Sequence, residues 1–451
     1  MNEKLWKKIV AFDFESPSDE YGFSTRLAHE NSWTKSFTEQ AILEYKKFMY
    51  LAATSDFMVA PSEIVDIVWH QHLLFTQSYH EFCKLLGKQI QHIPSTHNKQ
   101  DADKFRQAKE RTGQLYESNF GEQPKSIWEY HTMFESLHLE ETKLKISSII
   151  IIGIIAFFFA TFPAYYLLRP LYIKLDNPYF MFGLIGSAIL ISKLLEHYNN
   201  RQLKAIVTKT DKSSFVYHLQ PLELVYLKTN QLKNVIIGVL NGLMDNGTLI
   251  INSNKAIELV NDNTKANKEE RAILSILEET KSLFYPNLVE RLQTKPVFSN
   301  TANIMEAFKK YGTKSKEFGS LFVTNFTVWL VFLLLCYTRI TIGMERDKPV
   351  GGIIFTTIVL SVFIGVKLFR LTKKMTTVTI PDLYKDTILT TEQIENNWLW
   401  RYFLSGNAVL MASFIPLIHL SDEKSNGWSS SGSGCSSCGS SCSSCGGCGG
   451  D

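Results

Sequence analysis

The sequence has little net charge for its length. Its 451 residues include 47 Lys and Arg against 44 Asp and Glu, which gives a formal net charge of +3. Such a chain has no overall electrostatic attraction for nucleic acid or for an acidic substrate. The first 20 residues lack an apolar run of about seven residues and a small-residue cleavage site, so we expect no secretory signal there. Because the charges balance, any function that depends on positive charge must rest on a local cluster of basic residues.

Charged residues are also nearly absent from four long stretches. A helix of about 20 apolar residues can cross the hydrocarbon core of a bilayer. Residues 146–168 and 318–338 contain no charge, 178–195 has Lys193 near its end, and 349–366 is again uncharged. A lysine close to the end of a span can extend its side chain to the interface. Because short loops join the stretches in pairs, we predict two transmembrane hairpins within residues 146–195 and 318–369.

Ionisable groups are missing from the middle of all four stretches. Ion and proton pathways usually need such groups, so the composition favours a membrane anchor over a transporter. Residues 402–420 form a candidate fifth membrane segment after the linker 370–401. Ser, Gly, Asn and Pro interrupt it, but Trp398 and Trp400 before it would suit an interfacial belt. The alternative is a segment that lies on the membrane surface.

Lys and Arg concentrate on one side of the predicted hairpins. The two hairpin loops carry two and three basic residues, whereas residues 193–212, 309–316 and 367–374 carry five, four and four. The apolar spans predict a multi-pass protein of the cell membrane, and the positive-inside rule predicts that its more basic side faces the cytoplasm. Its N-terminal domain (1–145) and central region (196–317) would both be cytoplasmic, and its first partner is the lipid bilayer.

The central region predicts a small α+β module. "PLELVYLKT" indicates a short helix, and a helical apolar stripe follows, which Asn246 and Gly247 end. "TLIIN" and "AIELV" around the turn "SNK" predict a two-stranded hairpin, and a further helix should run from Lys268 to about Leu283. The stripe consists of Leu232, Val235, Ile236, Val239, Leu240, Leu243 and Met244.

This order of elements is typical of a winged helix-turn-helix, which suggests either DNA binding or an interaction module. Residues 216–312 hold 11 Lys and Arg against 10 Asp and Glu, and Lys233 is the single basic residue on the candidate recognition helix. Phosphate contacts dominate affinity for DNA, and a neutral module lacks them. We therefore expect no nucleic-acid partner and favour protein partners of unknown identity.

The C-terminal residues 421–451 are almost entirely Ser, Gly and Cys, a composition that cannot bury enough apolar surface to fold. Two thiolates in a CxxC pair can bind one soft metal ion such as zinc. The alternatives are disulfides, which an external tail would favour, or reversible modification of the thiols. The cysteines of this tail are Cys435, Cys438, Cys442, Cys445 and Cys448.

The N-terminal domain predicts a helical bundle. Residues 37–52 have apolar side chains along one helical face, and Pro61 occupies a position typical of a first helical residue. Two later helices should cover about Lys99 to Ser118 and Ser126 to Leu137. The fold class predicted for the whole chain is thus mainly α, with a helical bundle, two membrane hairpins around a winged-helix-like module, and a disordered tail.

Within that domain, residues 66–92 hold four of the 11 histidines and one of the seven cysteines. On a helix Asp66 and His70 are four residues apart and can touch, so the carboxylate could orient the imidazole of a metal ligand. His70 and His72 would point about 200° apart, which argues against a simple His-x-His chelate. His80 and Cys83 would share a face of the next helix.

These residues carry a resemblance to known proteins. "VAPSEIVDIVWHQHLL", with Tyr79, Cys83, Gly87, His92 and the later "YESNFGEQP", resembles the D-x-x-W-H-x-H signature domain of the glycine-rich-domain-containing proteins over about residues 31–128. Residues 146–451 look like a bacterial family of membrane proteins of unknown function that end in Gly/Cys-rich sequence. Neither resemblance implies an established activity. The first implies His70, His72, Cys83 and His92 as candidate zinc ligands, with Asp66 behind them.

Three interpretations of this cluster remain open. The side chains could simply pack the seam between two helices, bind a structural metal, or form a catalytic metal site or Cys/His pair. The sequence therefore favours a multi-pass interaction or scaffold protein that is not an enzyme. The alternatives are a membrane-tethered metal-dependent enzyme using Asp66, His70, Cys83 and His92, and a membrane-tethered DNA-binding regulator.

Overall fold

Helices dominate the structure, which is a computed structural model. It describes residues 1–15, 21–93, 99–175, 177–261 and 266–419, with the backbone alone for 99–102, 177 and 178. Within these ranges the strands form one small sheet, so the predicted mainly helical class is confirmed. The tail thiols Cys435, Cys438, Cys442, Cys445 and Cys448 lie outside the described residues.

The helices of the N-terminal domain begin where short polar side chains can cap them. Thr34 caps the third helix and Ser62 the fourth, each accepting a hydrogen bond from the backbone N–H three residues later. Pro61 was expected to open the fourth helix but lies before its cap. The helices are α1 (Glu3–Ala11), α2 (Phe23–Asn31), α3 (Lys35–Thr54), α4 (Glu63–Leu74), α5 (Thr76–Leu86), α6 (Lys99–Phe120) and α7 (Lys125–Trp128).

The helix predicted for residues 126–137 is divided into α7 and a 3₁₀ helix, Met133–Leu137.

A buried carboxylate of α3 organises this end of the bundle. Glu44 accepts hydrogen bonds from the Tyr116 hydroxyl at 2.7 Å and the Trp128 indole at 2.8 Å. Lys47 pairs with the other carboxylate oxygen at 2.8 Å. Since a buried charge is costly unless it is paired and hydrogen-bonded, this network fixes α6 and α7 against α3.

Two long apolar helices follow, α8 (Ile146–Tyr172) and α9 (Asn177–Thr208). They expose large apolar side chains, such as Phe159 and Leu167, both more than three-quarters exposed. A soluble fold would leave few such side chains in water, whereas lipid covers them at no cost. Both helices have the length and hydropathy to cross a membrane, and so do two long helices later in the chain.

The central region contains the predicted helices and hairpin. The strands run antiparallel in the order β1-β2-β3, with Ile250 opposite Glu258 and Ile257 opposite Leu283. The third strand was not predicted, because three residues directly after a helix are too few for an alternating pattern. The elements are α10 (Pro221–Thr229), α11 (Leu232–Asp245), β1 (Leu249–Ile251), β2 (Ala256–Leu259), α12 (Lys268–Thr280), β3 (Ser282–Phe284), α13 (Tyr285–Thr294) and α14 (Pro296–Thr313).

The second apolar pair is α15 (Lys316–Glu345) and α16 (Gly351–Lys374), which confirms four helices of membrane-spanning length in the part of the chain that the structure describes. The chain continues through a π-helix (Met375–Thr379), α17 (Ile380–Leu383) and a second π-helix (Tyr384–Ile388) before α18 (Thr391–Asn396) and α19 (Trp398–Ser405). Tyr384 is 1% exposed, and its hydroxyl donates to the Val216 carbonyl. Part of the predicted linker 370–401 is thus helical and packed.

The candidate fifth membrane segment forms no continuous helix in residues 402–419. After α19 the chain turns through a 3₁₀ helix, Gly406–Val409, and Tyr402 and Phe414 are buried against the central module. Glycines of α11 allow this contact, because a Cβ on Gly238 would lie 2.8 Å from the Tyr402 ring. The apolar side chains of this segment therefore cover a protein surface. This packing replaces the membrane segment that we expected there.

The N-terminal domain and the central module share one apolar core. Polar contacts also cross between them. His29 Nδ1 donates to Asn300 Oδ1 at 2.7 Å, and the Lys35 backbone N–H donates to the Glu223 carboxylate at 3.0 Å. Burial raises the pKa of Glu223 to about 7. These two parts form a single body, from which the four long apolar helices extend.

Candidate metal centre and groove

Helix α4 holds the first two members of the candidate centre on its solvent side. Asp66 and His70 lie one turn apart, and His70 Nε2 is 3.4 Å from Asp66 Oδ2. The side chain of His70 is 60% exposed and that of Asp66 is 38% exposed. The predicted contact between these two residues is therefore present, and both can reach a ligand in solution.

The third member arrives from the segment after α5. Gly87 adopts a left-handed conformation with φ of +73° and ends that helix, which allows the chain to turn back along α4. The Trp69 indole donates to the Tyr79 hydroxyl at 3.2 Å, and Tyr79 donates to the Ile90 carbonyl. These bonds secure residues 88–93 and bring His92 Nε2 to 2.9 Å from Asp66 Oδ1.

Asp66, His70 and His92 consequently form a compact donor set. One ligand atom of each lies within 4.8 Å of the others, and the two imidazole centroids are 4.4 Å apart. Donors bound to one zinc ion at ~2.0–2.1 Å in tetrahedral geometry would be ~3.3 Å apart. A small contraction would therefore bring all three onto one ion. Two imidazoles and a carboxylate suit zinc or iron(II) and leave coordination positions open.

His72 lies on the other side of the helix and is absent from this donor set. Its side chain is fully buried, and Tyr45 and Ser78 hydroxyls lie 2.9 and 3.1 Å from its two ring nitrogens. Phe14 and Phe23 flank the ring. Burial lowers the pKa of His72 to about 3, so the imidazole is neutral at physiological pH. It is a hydrogen-bonded core residue.

Cys83, the other predicted ligand, is also buried. Its side chain is 2% exposed within the apolar core, and it does not join the donor set of Asp66, His70 and His92. His80, on the same helix, is exposed and likewise outside that set. Asp66, which the sequence suggested as a support for the ligands, instead lies between His70 and His92. The predicted set is thus divided between a surface group and the core.

A groove of about 760 Å³ opens beside the donor set. Asp66 and His92 lie on its wall, and Phe57 and Ile93 line it although they are 69% and 55% exposed. Glu63, also on the wall, pairs with His131 at 2.6 Å, and the hydrogen bond that the His131 imidazole donates to this carboxylate raises the pKa of His131. The groove therefore combines apolar contact surface with carboxylates and an imidazole.

Sequence spacing could not reveal the groove or the partners of His72. Tyr45 is 27 residues from His72, and His131 is 68 residues from Glu63, so only the tertiary fold brings them together. One signal was available in the sequence. Asp66 and His70 at i and i+4, followed by a helix-ending glycine and a further histidine, is the pattern that became the donor set.

Comparisons with known proteins add a match over part of the chain. A family model described as UCP032817-like matches residues 19–112, which include α4, α5 and all three donors. No curated protein and no solved structure matches. The matched family is uncharacterised, so it assigns no activity to these residues.

Proposed function

We propose that this chain is a multi-pass membrane protein that presents the groove of its N-terminal domain to a protein partner, as an interaction or scaffold protein. The observation that carries this proposal is the exposed groove itself, built on a body from which four apolar helices extend. Phe57 and Ile93 supply apolar contact area, and Asp66 and Glu63 supply charge at the groove wall. Aromatic anchors within a polar rim are typical of protein-binding surfaces.

The shared core supports one topology for this proposal. The N-terminal domain and the central module pack together, and this supports an arrangement in which both membrane hairpins begin and end on the same side of the bilayer. The backbone also joins the two entry points, because Thr142 N–H donates to the Lys314 carbonyl at 2.8 Å. The positive-inside rule favours the cytoplasm for that side.

Photo-crosslinking tests the partner role in intact cells. A photoreactive amino acid at Phe57 or Ile93 should give a discrete crosslinked product, and one at Ile250 should not. Ile250 is the matched control, because it is an apolar residue, 46% exposed, on β1 outside the groove. Equal crosslinking at all three positions, or none at the groove positions, would contradict the proposal.

A membrane-tethered metal-dependent enzyme is the second candidate, favoured by the donor set beside the groove. Two histidines and a carboxylate would hold the ion, with open positions for water and substrate. A metal could equally be structural, linking residues 88–93 to α4. The buried thiol of Cys83 gives no support to a Cys/His nucleophile pair. The proposed ligands are therefore Asp66, His70 and His92.

Metal analysis of the full-length protein in detergent tests this candidate. The intact chain is needed because the N-terminal domain shares its core with the central module. We expect one zinc or iron ion per chain, lost in His70→Gln and His92→Gln and retained in His80→Gln, an exposed histidine outside the donor set. Unchanged metal content in all three variants would exclude this centre. Water-exchange measurements on the bound ion would separate an open site from a structural one.

A DNA-binding regulator receives less support. The candidate recognition helix α11 is buried from Val235 to Asn241, and the ring of Tyr402 on α19 covers Gly238. A recognition helix must offer a free face to the major groove. The winged-helix arrangement stays a prediction, and an interaction module is the role we favour. The resemblance of residues 31–128 to glycine-rich-domain-containing proteins also remains a proposal.

A further inference from the structure

A cavity of about 490 Å³ lies between α9, α15 and α16, where two apolar cores meet. One core belongs to the soluble body and includes Phe322 and Leu371. The other lies among the long helices and includes Trp329 and Ile364. The cavity walls include Asn325, Trp329 and residues 366–371, so it lies at the junction of the two cores. If the four long helices cross a bilayer as proposed, this junction between the apolar helices and the charged body lies at the level of the lipid headgroups.

The cavity has an excess of positive charge. Four cations of the α16 end line it, together with one carboxylate from α9, Glu196. Glu196 pairs with two of them, at 3.7 Å from Lys367 and 3.5 Å from Lys374. Lys373 lies 4.5 Å from the centroid of the Phe369 ring. The cationic residues are Lys367, Arg370, Lys373 and Lys374.

Arg370 and Lys373 differ from the other two cations, because neither has an ion pair among the described residues. The exposed guanidinium of Arg370 also has no hydrogen bond there. A guanidinium can donate two parallel hydrogen bonds to a phosphate, which makes it a strong phosphate-binding group. Glu196 cannot neutralise four cations, so three positive charges remain for a ligand.

The rest of the wall has two kinds of surface. Asn199 and Asn325 are buried and exchange amide hydrogen bonds at 2.9 and 2.7 Å, which closes the gap between α9 and α15. Trp329, Leu195 and Val366 add an apolar part. Val362, Val366 and Phe369 precede Arg370 on α16, and their exposed side chains form an apolar strip along that helix. The cavity thus offers cations for an anionic head and an apolar track for a chain attached to it.

We propose that this cavity binds the phosphate-bearing headgroup of an anionic phospholipid from the leaflet on the side of the soluble domains. Arg370 and Lys373 contact the phosphate, and an acyl chain follows the apolar face of α16. Basic pockets between helices at this level are a recurring way to bind anionic headgroups. The inference requires the long helices to cross a membrane, but it does not depend on the partner or the metal proposed above.

Native mass spectrometry of the full-length protein in detergent tests the proposal. The probes are phosphatidylglycerol and phosphatidylcholine with the same acyl chains, and inorganic phosphate alone. We expect preferential retention of phosphatidylglycerol. Arg370→Gln with Lys373→Gln should lower its affinity roughly 25-fold, since each cation near the surface contributes about fivefold. Glu196→Gln should raise the affinity, because it removes the competing carboxylate.

The matched control is Arg201→Gln with Lys204→Gln, which removes the same charge from exposed positions of α9 outside the cavity. This control should retain phosphatidylglycerol as the parent protein does. An equal loss in both double variants, or equal retention of the two lipids, would overturn the proposal. Inorganic phosphate that binds as tightly as phosphatidylglycerol, and is lost in the same variant, would show a free-phosphate site and exclude the lipid assignment. Melting temperatures check that the variants fold.

Discussion

The two faces of α4 assign opposite roles to histidines two residues apart. His70 is largely exposed beside Asp66 and His92, where it can bind a ligand. His72 is fully buried, between the hydroxyls of Tyr45 and Ser78. Both belong to the same short motif, so the motif mixes a surface group with a core residue. Because an α-helix has 3.6 residues per turn, side chains two residues apart point about 200° apart.

The largest expected effect of this division is on the stability of variants at the two histidines. His72→Ala should lower the free energy of unfolding by about 3–5 kcal/mol, because it leaves a cavity among aromatic side chains and unpaired hydroxyls of Tyr45 and Ser78. His70→Ala should change it by less than about 0.5 kcal/mol in the absence of metal, since the side chain is exposed. Denaturant unfolding of the detergent-solubilised protein, followed by tryptophan fluorescence, measures both.

A third variant supplies the control for this prediction. His80→Ala, another exposed histidine, should behave like His70→Ala when metal is absent. A chelator in every sample removes any contribution from a bound ion. If His70→Ala destabilised the protein as much as His72→Ala, the division between surface group and core would be wrong.

Local signals in the sequence predicted much of this organisation. Helix α3, the hairpin of β1 and β2, and four helices of membrane-spanning length follow from apolar periodicity, turn residues and uncharged length. The contact of Asp66 with His70 follows from helical spacing alone. The doubt about a His70 and His72 chelate was likewise justified by helix geometry.

Tertiary packing decided what the sequence could not. Residues 402–419 are apolar enough to suggest a membrane segment, yet they cover α11, and the glycines that receive them are about 160 residues earlier. The same coverage buries α11 beyond its predicted apolar stripe. Cys83 matched a family signature, but its burial depends on contacts that no spacing reveals. Long-range partners were the missing information in each case.

The pH dependence of stability tests whether His72 is buried and neutral in the folded protein. The pKa of His72 is lowered in the folded state to about 3, so below an unfolded pKa near 6.5 the unfolded chain binds a proton that the folded chain does not. Stability from this residue is therefore present above pH 6.5 and lost as pH falls towards 3. Between pH 6.5 and 5 the expected loss is about 1.5 kcal/mol.

Comparison of the parent protein with His72→Phe isolates this term. The variant is less stable overall, but its free energy of unfolding should fall less between pH 6.5 and 5, because phenylalanine does not titrate. His131 has a raised pKa and acts in the opposite direction, and it is present in both proteins. Equal slopes in parent and variant would mean that His72 is protonated in the folded state, contrary to its burial.

The smallest expected effect on stability is that of Cys83→Ala, which tests whether Cys83 belongs to the donor set that it was expected to join. Cys83→Ala removes a buried sulfur atom and should cost about 1 kcal/mol of unfolding free energy, through lost burial and a small cavity. Because the thiol lies in the core, the variant should retain the metal content of the parent protein, whereas His92→Gln should lose it. Metal loss in Cys83→Ala without unfolding would place the thiol at the ion and contradict its assignment to the core.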